Sequence, residues 1–216
     1  MTAESLRALT PGTRVHVLED TIVTDLAFEE ARRRNIEVLS GVGAIEAERR
    51  DTRLRVAVGS DHGGFHLKQA VIEWVRALGH VAVDLGTRDE NPVDYPDFAA
   101  AVAEAVVAGR AEFGICIDAA GVGSAIAANK VPGALAAMCP DTATARNARE
   151  HNHANVLSLG ARMLGLGVAH DIVRTFLSTP TGEARHARRV QKIHEIERRY
   201  QVGSRTMNQA AGGTKP

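Results

Sequence analysis

The stretch Arg55-Val-Ala-Val-Gly-Ser-Asp-His-Gly-Gly-Phe65 sets the fold of this chain. Its apolar run Val56–Val58 is rich in β-branched residues and ends in a glycine-containing turn, which is typical of a buried strand. Apolar residues at helical spacing then continue over His66–Leu78, and a second strand pattern covers His80–Leu85. This part of the sequence therefore predicts a strand, a helix and a further strand.

The same alternation continues toward the C-terminus. The remaining predicted elements are strands at Phe113–Ile117, Ala134–Cys139 and Val156–Leu159, and helices at Tyr95–Ala108, Gly123–Asn129, Asp141–Glu150, Leu166–Leu177 and His186–Tyr200. Strands that alternate with helices of about ten to fifteen residues are typical of parallel sheets covered by helices on both faces. We therefore predict a Rossmann-like, doubly wound α/β/α fold with a five-stranded parallel sheet and a small N-terminal extension.

The two ends of the chain lack this pattern. Near the N-terminus, Arg14–Leu18 and Thr21–Val23 predict a small hairpin, and Asp25–Asn35 predicts a helix. The C-terminal residues are rich in Gly, Ser, Thr and Asn, which favours disorder. The predicted parts are an N-terminal extension at 1–52, the α/β domain at 53–201 and a disordered tail at 202–216.

Composition narrows the class of protein. The 216 residues are 44% hydrophobic but only 4% aromatic, and 26 basic residues balance 26 acidic ones. A neutral chain has no overall field that attracts nucleic acid or an anionic membrane. Cys116 and Cys139 both lie in predicted strands, which favours a reducing compartment over a disulfide scaffold. With no signal peptide or membrane-spanning stretch in the sequence, we expect a soluble cytoplasmic protein.

Three loop segments carry residues suited to chemistry: Ser60–Phe65, Asp118–Ser124 and His151–Asn155. Ligands of open parallel sheets bind beyond the carboxyl ends of the strands, and we expect all three segments there. Asp61 and His62 form an acid–base pair, although Asp61 is as readily explained as a helix cap.

Two further pairs of residues, one in a loop and one on a helix, are candidates for binding anions. Gly121 and Gly123 leave backbone N–H groups at the start of a helix, where an oxyanion or a phosphate could bind. Arg185 and Arg189 are four residues apart on one helix face and could grip a phosphate, whereas the alternative for Arg185 is an ion pair with Glu183.

His151 and His153 lack a third ligand at a recognisable spacing, so no metal site is predicted. The loop after the first predicted strand also lacks the G-x-G-x-x-G fingerprint of a nucleotide-binding module, and the sequence has no P-loop motif. No cofactor is therefore expected from the motifs of the chain.

Taken together, the motifs resemble those of the ribose-5-phosphate isomerase B and galactose-6-phosphate isomerase family over about Arg55–Arg199. The matching stretches are Gly59–Phe65, Val93–Pro96, Ile126–Gly133, Ala148–Asn152, Asn155–Leu157, Leu159–Arg162 and Arg185–Arg189. This resemblance implies a cofactor-free interconversion of an aldose phosphate and its ketose through a cis-enediolate. It also implies dimers, or tetramers of dimers, with active sites that both subunits of a dimer build.

The resemblance also implies a role for each matched position. Asp61 and His62 would bind the sugar and help to open its ring, while His151 would assist ring opening. The substrate-binding positions would be Tyr95, the loop residues Gly121, Val122 and Gly123, the hydroxyl-binding Asn152, and the phosphate-binding Arg185 and Arg189. The sequence does not select among tetrose, pentose and hexose phosphates.

One position departs from the family pattern. Family members carry a cysteine base after the third strand, or a glutamate six residues later, where this chain has Asp118 and Ser124. A carboxylate is ionised at neutral pH, so Asp118 is a chemically competent substitute. We therefore expect an isomerase with Asp118 as its base, alongside Asp61, His62 and His151. The alternative is a sugar-phosphate-binding pseudoenzyme with a regulatory or scaffold role.

The extension has a weaker resemblance of its own. Thr10–Thr13, Ile22–Ala27 and Glu29–Ile36 are similar to short modules in proteins of bacterial microcompartment operons. This implies a shell or cargo protein as a partner and a location inside a microcompartment. The alternative is a family-specific extension that packs on the isomerase dimer.

Overall fold

The structure is a computed structural model that describes residues 2–17, 23–40 and 53–211. Its contacts divide the chain into two compact units, Met1–Thr52 and Arg53–Pro216. Each unit has a hydrophobic core of its own, so the two are considered separately.

The first unit has the order α1 (Ala3–Arg7), β1 (Arg14–Val17), α2 (Asp25–Arg33) and β2 (Glu37–Ser40). Its two strands pair in parallel, with the register running from Arg14 opposite Glu37 to Val17 opposite Ser40. The predicted hairpin is thus wrong for β1, whose partner lies beyond α2, while Thr21 and Ile22 fall outside the described residues. The physical reason is that Thr24 caps α2, and a helical crossover favours parallel pairing.

The second unit alternates strands and helices, as predicted. Its elements are β3 (Arg55–Ser60), α3 (Phe65–Ala77), β4 (Val81–Asp84), α4 (Tyr95–Val107), β5 (Phe113–Asp118), α5 (Val122–Ala128), β6 (Ala136–Met138), α6 (Thr142–Asn152), β7 (Val156–Gly160), α7 (Leu166–Ser178) and α8 (Ala184–Ala211). A short 3₁₀ turn, His62–Gly64, joins β3 to α3. The expected five-stranded parallel sheet is therefore confirmed.

The sheet order is β4-β3-β5-β7-β6, with every neighbouring pair parallel. The chain order reverses between β3 and β5, and this switch point at the carboxyl edge is where ligands of open parallel sheets bind. Helices α3, α6 and α7 contribute to the core on one face of the sheet. Helices α4 and α5 contribute to the core on the other face, which completes the three layers.

In the second unit, sequence signals placed the elements to within two or three residues, except at the C-terminus, whereas helix α1 and strand β2 of the first unit were not predicted. Asp141 caps α6 by accepting the N–H of Thr144 at 2.7 Å, as the sequence predicted. The tail prediction is wrong for residues 202–211, because α8 continues to Ala211. A helix that has already formed adds each further residue without a new nucleation step, so polar composition alone did not end it. Residues 212–216 lie outside the described residues.

Both cysteines are free and buried, as expected of core residues. Burial raises the pKa of both thiols, that of Cys139 to about 12. In the described ranges no helix is long and apolar enough to cross a membrane.

Arg149 is a buried cation in α6, with 7% of its surface exposed. Its guanidinium lies over the ring of Phe113, 4.3 Å from the centroid, and burial lowers its pKa. Its Nε donates to the carbonyl of Thr179 at 3.2 Å, and a terminal nitrogen donates to that of Ala154 at 2.6 Å. Arg149 therefore ties the end of α6 to the segment that leads into α8.

We expect Arg149→Met to lower the free energy of unfolding by about 2–4 kcal/mol, because two buried carbonyls lose their donor. Urea unfolding followed by circular dichroism would measure this loss. Arg76→Met is the matched control, because Arg76 is an exposed partner of Glu73 at 2.8 Å. It should change stability by less than about 0.5 kcal/mol. Equal effects of the two substitutions would contradict the role given to Arg149.

Candidate active site

Seven of the predicted site residues lie together at the carboxyl edge of the sheet. This strand-end cluster consists of Asp61, His62, Tyr95, Asp118, Gly121, Val122 and Gly123. The loops that leave β3 and β5 abut, because the backbone N–H of Asp61 donates to the carbonyl of Ile117 at 3.3 Å. The residues that the sequence selected thus lie together at the switch point of the sheet.

Asp61 is 7% exposed, and its Oδ1 accepts the N–H of Gly64 at 3.0 Å. The helix-cap explanation of this residue therefore holds for that oxygen. The Nδ1 atom of the neighbouring His62 lies 3.2 Å from the backbone nitrogen of Val93 and 3.3 Å from its carbonyl oxygen, and it can pair with either. His62 consequently anchors the segment that leads to Tyr95.

Tyr95 lies directly against the loop that follows β5. A Cβ atom added to Gly123 would sit 2.7 Å from two carbons of the Tyr95 ring, so only glycine permits this contact. The structure thus brings Tyr95 and Gly123 together, as expected for residues that line one pocket. Val122 is half-exposed beside them.

The carboxylate of Asp118 points back into its own loop. Oδ1 accepts the N–H groups of Ala120, at 2.8 Å, and of Gly121. Oδ2 accepts the N–H of Ser124 at 2.7 Å, and the Ser124 side chain also hydrogen bonds to the carboxylate. A carboxylate has about four acceptor positions, so those of Asp118 are all used. The expectation of a free N–H at Gly121 is therefore wrong, because Asp118 already binds it.

The loop that holds Asp118 depends on its glycine. Gly121 has φ +80°, a left-handed conformation that directs successive N–H groups toward the carboxylate. The hydroxyl of Ser158 fixes the same residue by donating to its carbonyl at 2.6 Å. The carboxylate is thus held by a conformation that the backbone and β7 impose together.

Two opposing effects set the protonation of Asp118, which is 5% exposed. Burial raises its pKa, but the hydrogen bonds from Ser124, Gly121 and Ala120 stabilise the anion and lower the pKa overall. Asp118 is therefore ionised at neutral pH and is a weak base. By contrast, the neighbouring Cys116 is core, as expected, and its buried thiol has a raised pKa.

The remaining predicted residues form a second group, the helix-end cluster, which consists of His151, Asn152, Arg185 and Arg189. His151 and Asn152 end α6 and come before β7, so they lie at the amino edge of the sheet. The expectation that they follow a strand's carboxyl end is wrong, because in a parallel sheet a helix that follows one strand ends where the next strand begins. The register places Gly160, four residues after Val156, opposite Asp118. About 13 Å of strand therefore separates the two edges.

The helix-end cluster is cationic and polar. The amide nitrogen of Asn147 lies 2.9 Å from Nδ1 of His151, which accepts this bond, so the neutral ring carries its proton on Nε2. The side-chain oxygen of Asn147 accepts from Asn152 at 3.1 Å. Arg185 forms the alternative ion pair, with Glu183 at 3.0 Å, and both side chains are exposed.

Sequence reasoning missed two residues. His186 stacks on His151, with ring centroids 4.2 Å apart and planes 8° apart. Arg162 belongs to the strand-end edge, where its backbone N–H donates to the carbonyl of Ala119 at 3.0 Å. Arg162 lies in the motif Leu159–Arg162 and His186 lies in the motif Arg185–Arg189. No other feature of the sequence indicated that either residue belongs to the site. Within the described residues, no group of three or more His, Cys, Asp or Glu side chains is arranged to hold a metal ion.

Comparisons with known proteins agree on one group of enzymes. Residues 56–193 match the family model described as Ribose/Galactose Isomerase. Ribose-5-phosphate isomerase B of Mycobacterium tuberculosis is 42% identical over 151 residues, which cover 69% of this chain and 93% of the relative.

Solved structures give the same result. Ribose-5-phosphate isomerase B of Clostridium thermocellum is 48% identical with a TM-score of 0.67, over 68% of this chain and 99% of that one. The enzyme of Mycoplasma genitalium with bound ribulose-5-phosphate is 39% identical with a TM-score of 0.64, over 67% and 96% of the respective chains. The matched region is the second compact unit, which carries both clusters.

We expect Asp118→Asn to lower the free energy of unfolding by about 2–3 kcal/mol at pH 7, because the amide offers one acceptor oxygen where the carboxylate offers two. The folded-state pKa of Asp118 is lowered. Its contribution is therefore fully present above the unfolded pKa of about 4, and it is lost as the pH falls through the lower folded value.

Urea unfolding of both proteins at pH 7 and at pH 3 would test this, with the difference expected to shrink at the lower pH. The control is Asp171→Asn, which removes the charge of an exposed partner of Arg174. A difference between wild type and Asp118→Asn that stays constant across this range would contradict the capping role.

Proposed function

The chain belongs to the Ribose/Galactose Isomerase family, and we propose that it is an aldose–ketose isomerase of a phosphorylated sugar. The single observation that carries the proposal is the strand-end cluster, in which Asp61, His62, Tyr95 and Asp118 lie at the same edge of the sheet. The relatives named above are ribose-5-phosphate isomerases, so ribose 5-phosphate and ribulose 5-phosphate, or a related tetrose or pentose phosphate, are the proposed substrates.

The proposed reaction needs no cofactor. Asp61 and His62 bind the sugar and help to open its ring, and a base removes the C2 proton of the open-chain aldose. The electron pair of the C2–H bond forms a C1=C2 double bond, and O1 becomes the enediolate oxygen. A proton then passes from the C2 hydroxyl to O1, and the proton returned to C1 gives the ketose. Asp118 is the proposed base, because it stands at the carboxyl end of β5.

The geometry sets a condition on this role. All four acceptor positions of Asp118 are used, so one hydrogen bond must break before the carboxylate can take a proton. The Ser124 hydroxyl is the most mobile of the four donors, since it can rotate away from the carboxylate without moving the backbone. Loss of one such bond costs about 1–3 kcal/mol, which corresponds to a turnover about five- to 150-fold slower than that of a base with a free acceptor position.

The same observation supports a second candidate function. A carboxylate with a lowered pKa and no free acceptor position suits a loop-stabilising group better than a base. If Asp118 never leaves these bonds, the chain binds sugar phosphates without converting them and serves regulation or scaffolding. Both candidate functions predict that the chain binds sugar phosphates. Only the isomerase exchanges the C2 proton of the sugar with solvent.

We expect wild type to exchange the C2 proton of one aldose phosphate with solvent D2O, and Asp118→Asn to lower the rate at least a hundredfold. NMR over a panel of tetrose, pentose and hexose phosphates would measure exchange and identify the sugar. Asp118→Cys is the informative companion, because it supplies a thiol at the same position. Binding without exchange in wild type, with exchange appearing in Asp118→Cys, would establish the binding protein and overturn the isomerase.

A complete site requires a second copy of the chain in this proposal. Both clusters carry groups assigned to one substrate, yet the length of β7 separates them within one chain. A two-fold dimer can place the helix-end cluster of one protomer over the strand-end cluster of the other. Exposed apolar side chains on α5 and α8, among them Ile126 at 59% and Ile196 at 52%, offer surface for this pairing.

We expect activity to return when two inactive variants are mixed. Asp61→Asn damages the strand-end cluster, and Arg189→Ala damages the helix-end cluster. After unfolding and refolding together, heterodimers hold one site with both clusters intact, which gives about one quarter of the wild-type activity. Native mass spectrometry would verify the heterodimers, and each variant refolded alone is the control. Heterodimers without activity would contradict a site shared between protomers.

The N-terminal unit is proposed to serve assembly. Helix α2 exposes two large apolar side chains, Leu26 at 69% and Phe28 at 45%, which suits contact with another protein. With the sequence resemblance, this supports a microcompartment shell or cargo protein as partner. The proposed location is the cytoplasm or the interior of such a compartment.

A further inference from the structure

His186 is a buried histidine that the proposed mechanism does not use. It is 6% exposed, and its ring lies flat on that of His151, with planes 8° apart. The two residues come from different helices, α6 and α8. The stack is therefore a contact of tertiary structure, which orients one ring against the other.

The nitrogen atoms of His186 define its tautomer. Its Nε2 accepts a hydrogen bond from Nε of Arg185 at 3.4 Å, so the neutral ring carries its proton on Nδ1. In the described part of the chain this buried Nδ1 has no hydrogen-bond partner. His186 thus has one long hydrogen bond and one unpaired buried nitrogen, in addition to the ring stack with His151.

His151 is held on two sides. Asn147 donates to its Nδ1 at 2.9 Å, and the His186 ring covers one face. These contacts leave the protonated Nε2 edge as the part of the ring directed away from α6. The imidazole of His151 is thus held in one orientation and one tautomer.

The charges around the stack favour a neutral His186. Burial lowers the pKa of His186 most, and His151, Arg185 and Arg189 lower it further, while Glu183 raises it. A neutral ring can stack on His151 without adding a positive charge to the helix-end cluster.

We propose that His186 is a positioning residue for His151, whose ring plane it fixes by stacking so that Nε2 of His151 faces the sugar. This inference rests on the proposed function and adds a residue to it. The chemical step it serves is ring opening of the aldose, in which Nε2 exchanges a proton with the ring oxygen or the anomeric hydroxyl. His186 itself need not touch the substrate.

Substitution of His186 should therefore slow the reaction of the cyclic aldose and not that of the open-chain ketose. An aldopentose 5-phosphate closes a furanose ring, whereas the corresponding 2-ketopentose 5-phosphate has no hydroxyl placed to do so. Removing the flat ring in His186→Leu or His186→Gln should lower kcat for the aldose about tenfold. The rate of C1 proton exchange from the ketose in D2O should change less than about twofold, since that step needs no ring opening.

His186→Phe is the rescue variant, because it restores a flat ring without nitrogen atoms. It should recover at least about half of the wild-type kcat for the aldose. The matched control is His170→Leu, which removes a histidine that contacts Trp74 and belongs to neither cluster. Equal losses on aldose and ketose, or a Phe variant as slow as the Leu variant, would overturn the positioning role.

An NMR readout separates this proposal from the proposed function. The ring Cε1–H signal of His151, identified by its absence in His151→Asn, should lie upfield in wild type and in His186→Phe because of the stacked ring. It should move downfield in the Leu and Gln variants. A wild type that converts no sugar phosphate would refute the proposed function alone, while an unmoved His151 signal would refute the stack whatever the activity.

Discussion

The organisation of this protein depends on the common direction of its strands. In a parallel sheet, residues that follow strands and residues that precede them lie at opposite edges. Asp61 and Asp118 follow β3 and β5, whereas His151 and Asn152 precede β7. No loop rearrangement within one chain removes this separation, because β7 is buried between β5 and β6. In the proposed function, a substrate that needs both groups of residues therefore requires two chains.

Asp118 shows how one side chain can meet two demands that conflict. As a cap, it stabilises the turn into α5 because it is ionised, buried and fully hydrogen bonded. As a base, it would need a free acceptor position and a pKa closer to neutral. The loop meets the first demand completely. Ser124 then becomes the residue that connects the two roles, since its hydroxyl is the one donor that can leave without disturbing the backbone.

The sequence predicted the fold well because the strands and helices of the second unit follow local rules. Apolar runs, helical spacing and the Asp141 cap each depend on neighbouring residues. It also selected the strand-end cluster, since the carboxyl edge is fixed by strand direction. It could not show that Asp118 is saturated, because this follows from the φ angle of Gly121 and the position of Ser124. The His186 stack was equally hidden, because two helices distant in sequence create it.

The Asp118 carboxylate accepts hydrogen bonds from the backbone N–H groups of the loop after β5, and this has a consequence for inhibitor selectivity. Compounds that mimic an enediolate carry negative charge where the reacting oxygen develops, and they bind tightly to enzymes whose loop amides are vacant. In this protein a carboxylate already occupies those amides, so such a compound meets like charge. A mimic that omits the oxyanion avoids that repulsion, and in the proposed function its phosphate still binds Arg185 and Arg189. The relative affinities of the two kinds of compound would therefore distinguish this chain from an enzyme whose loop amides are free.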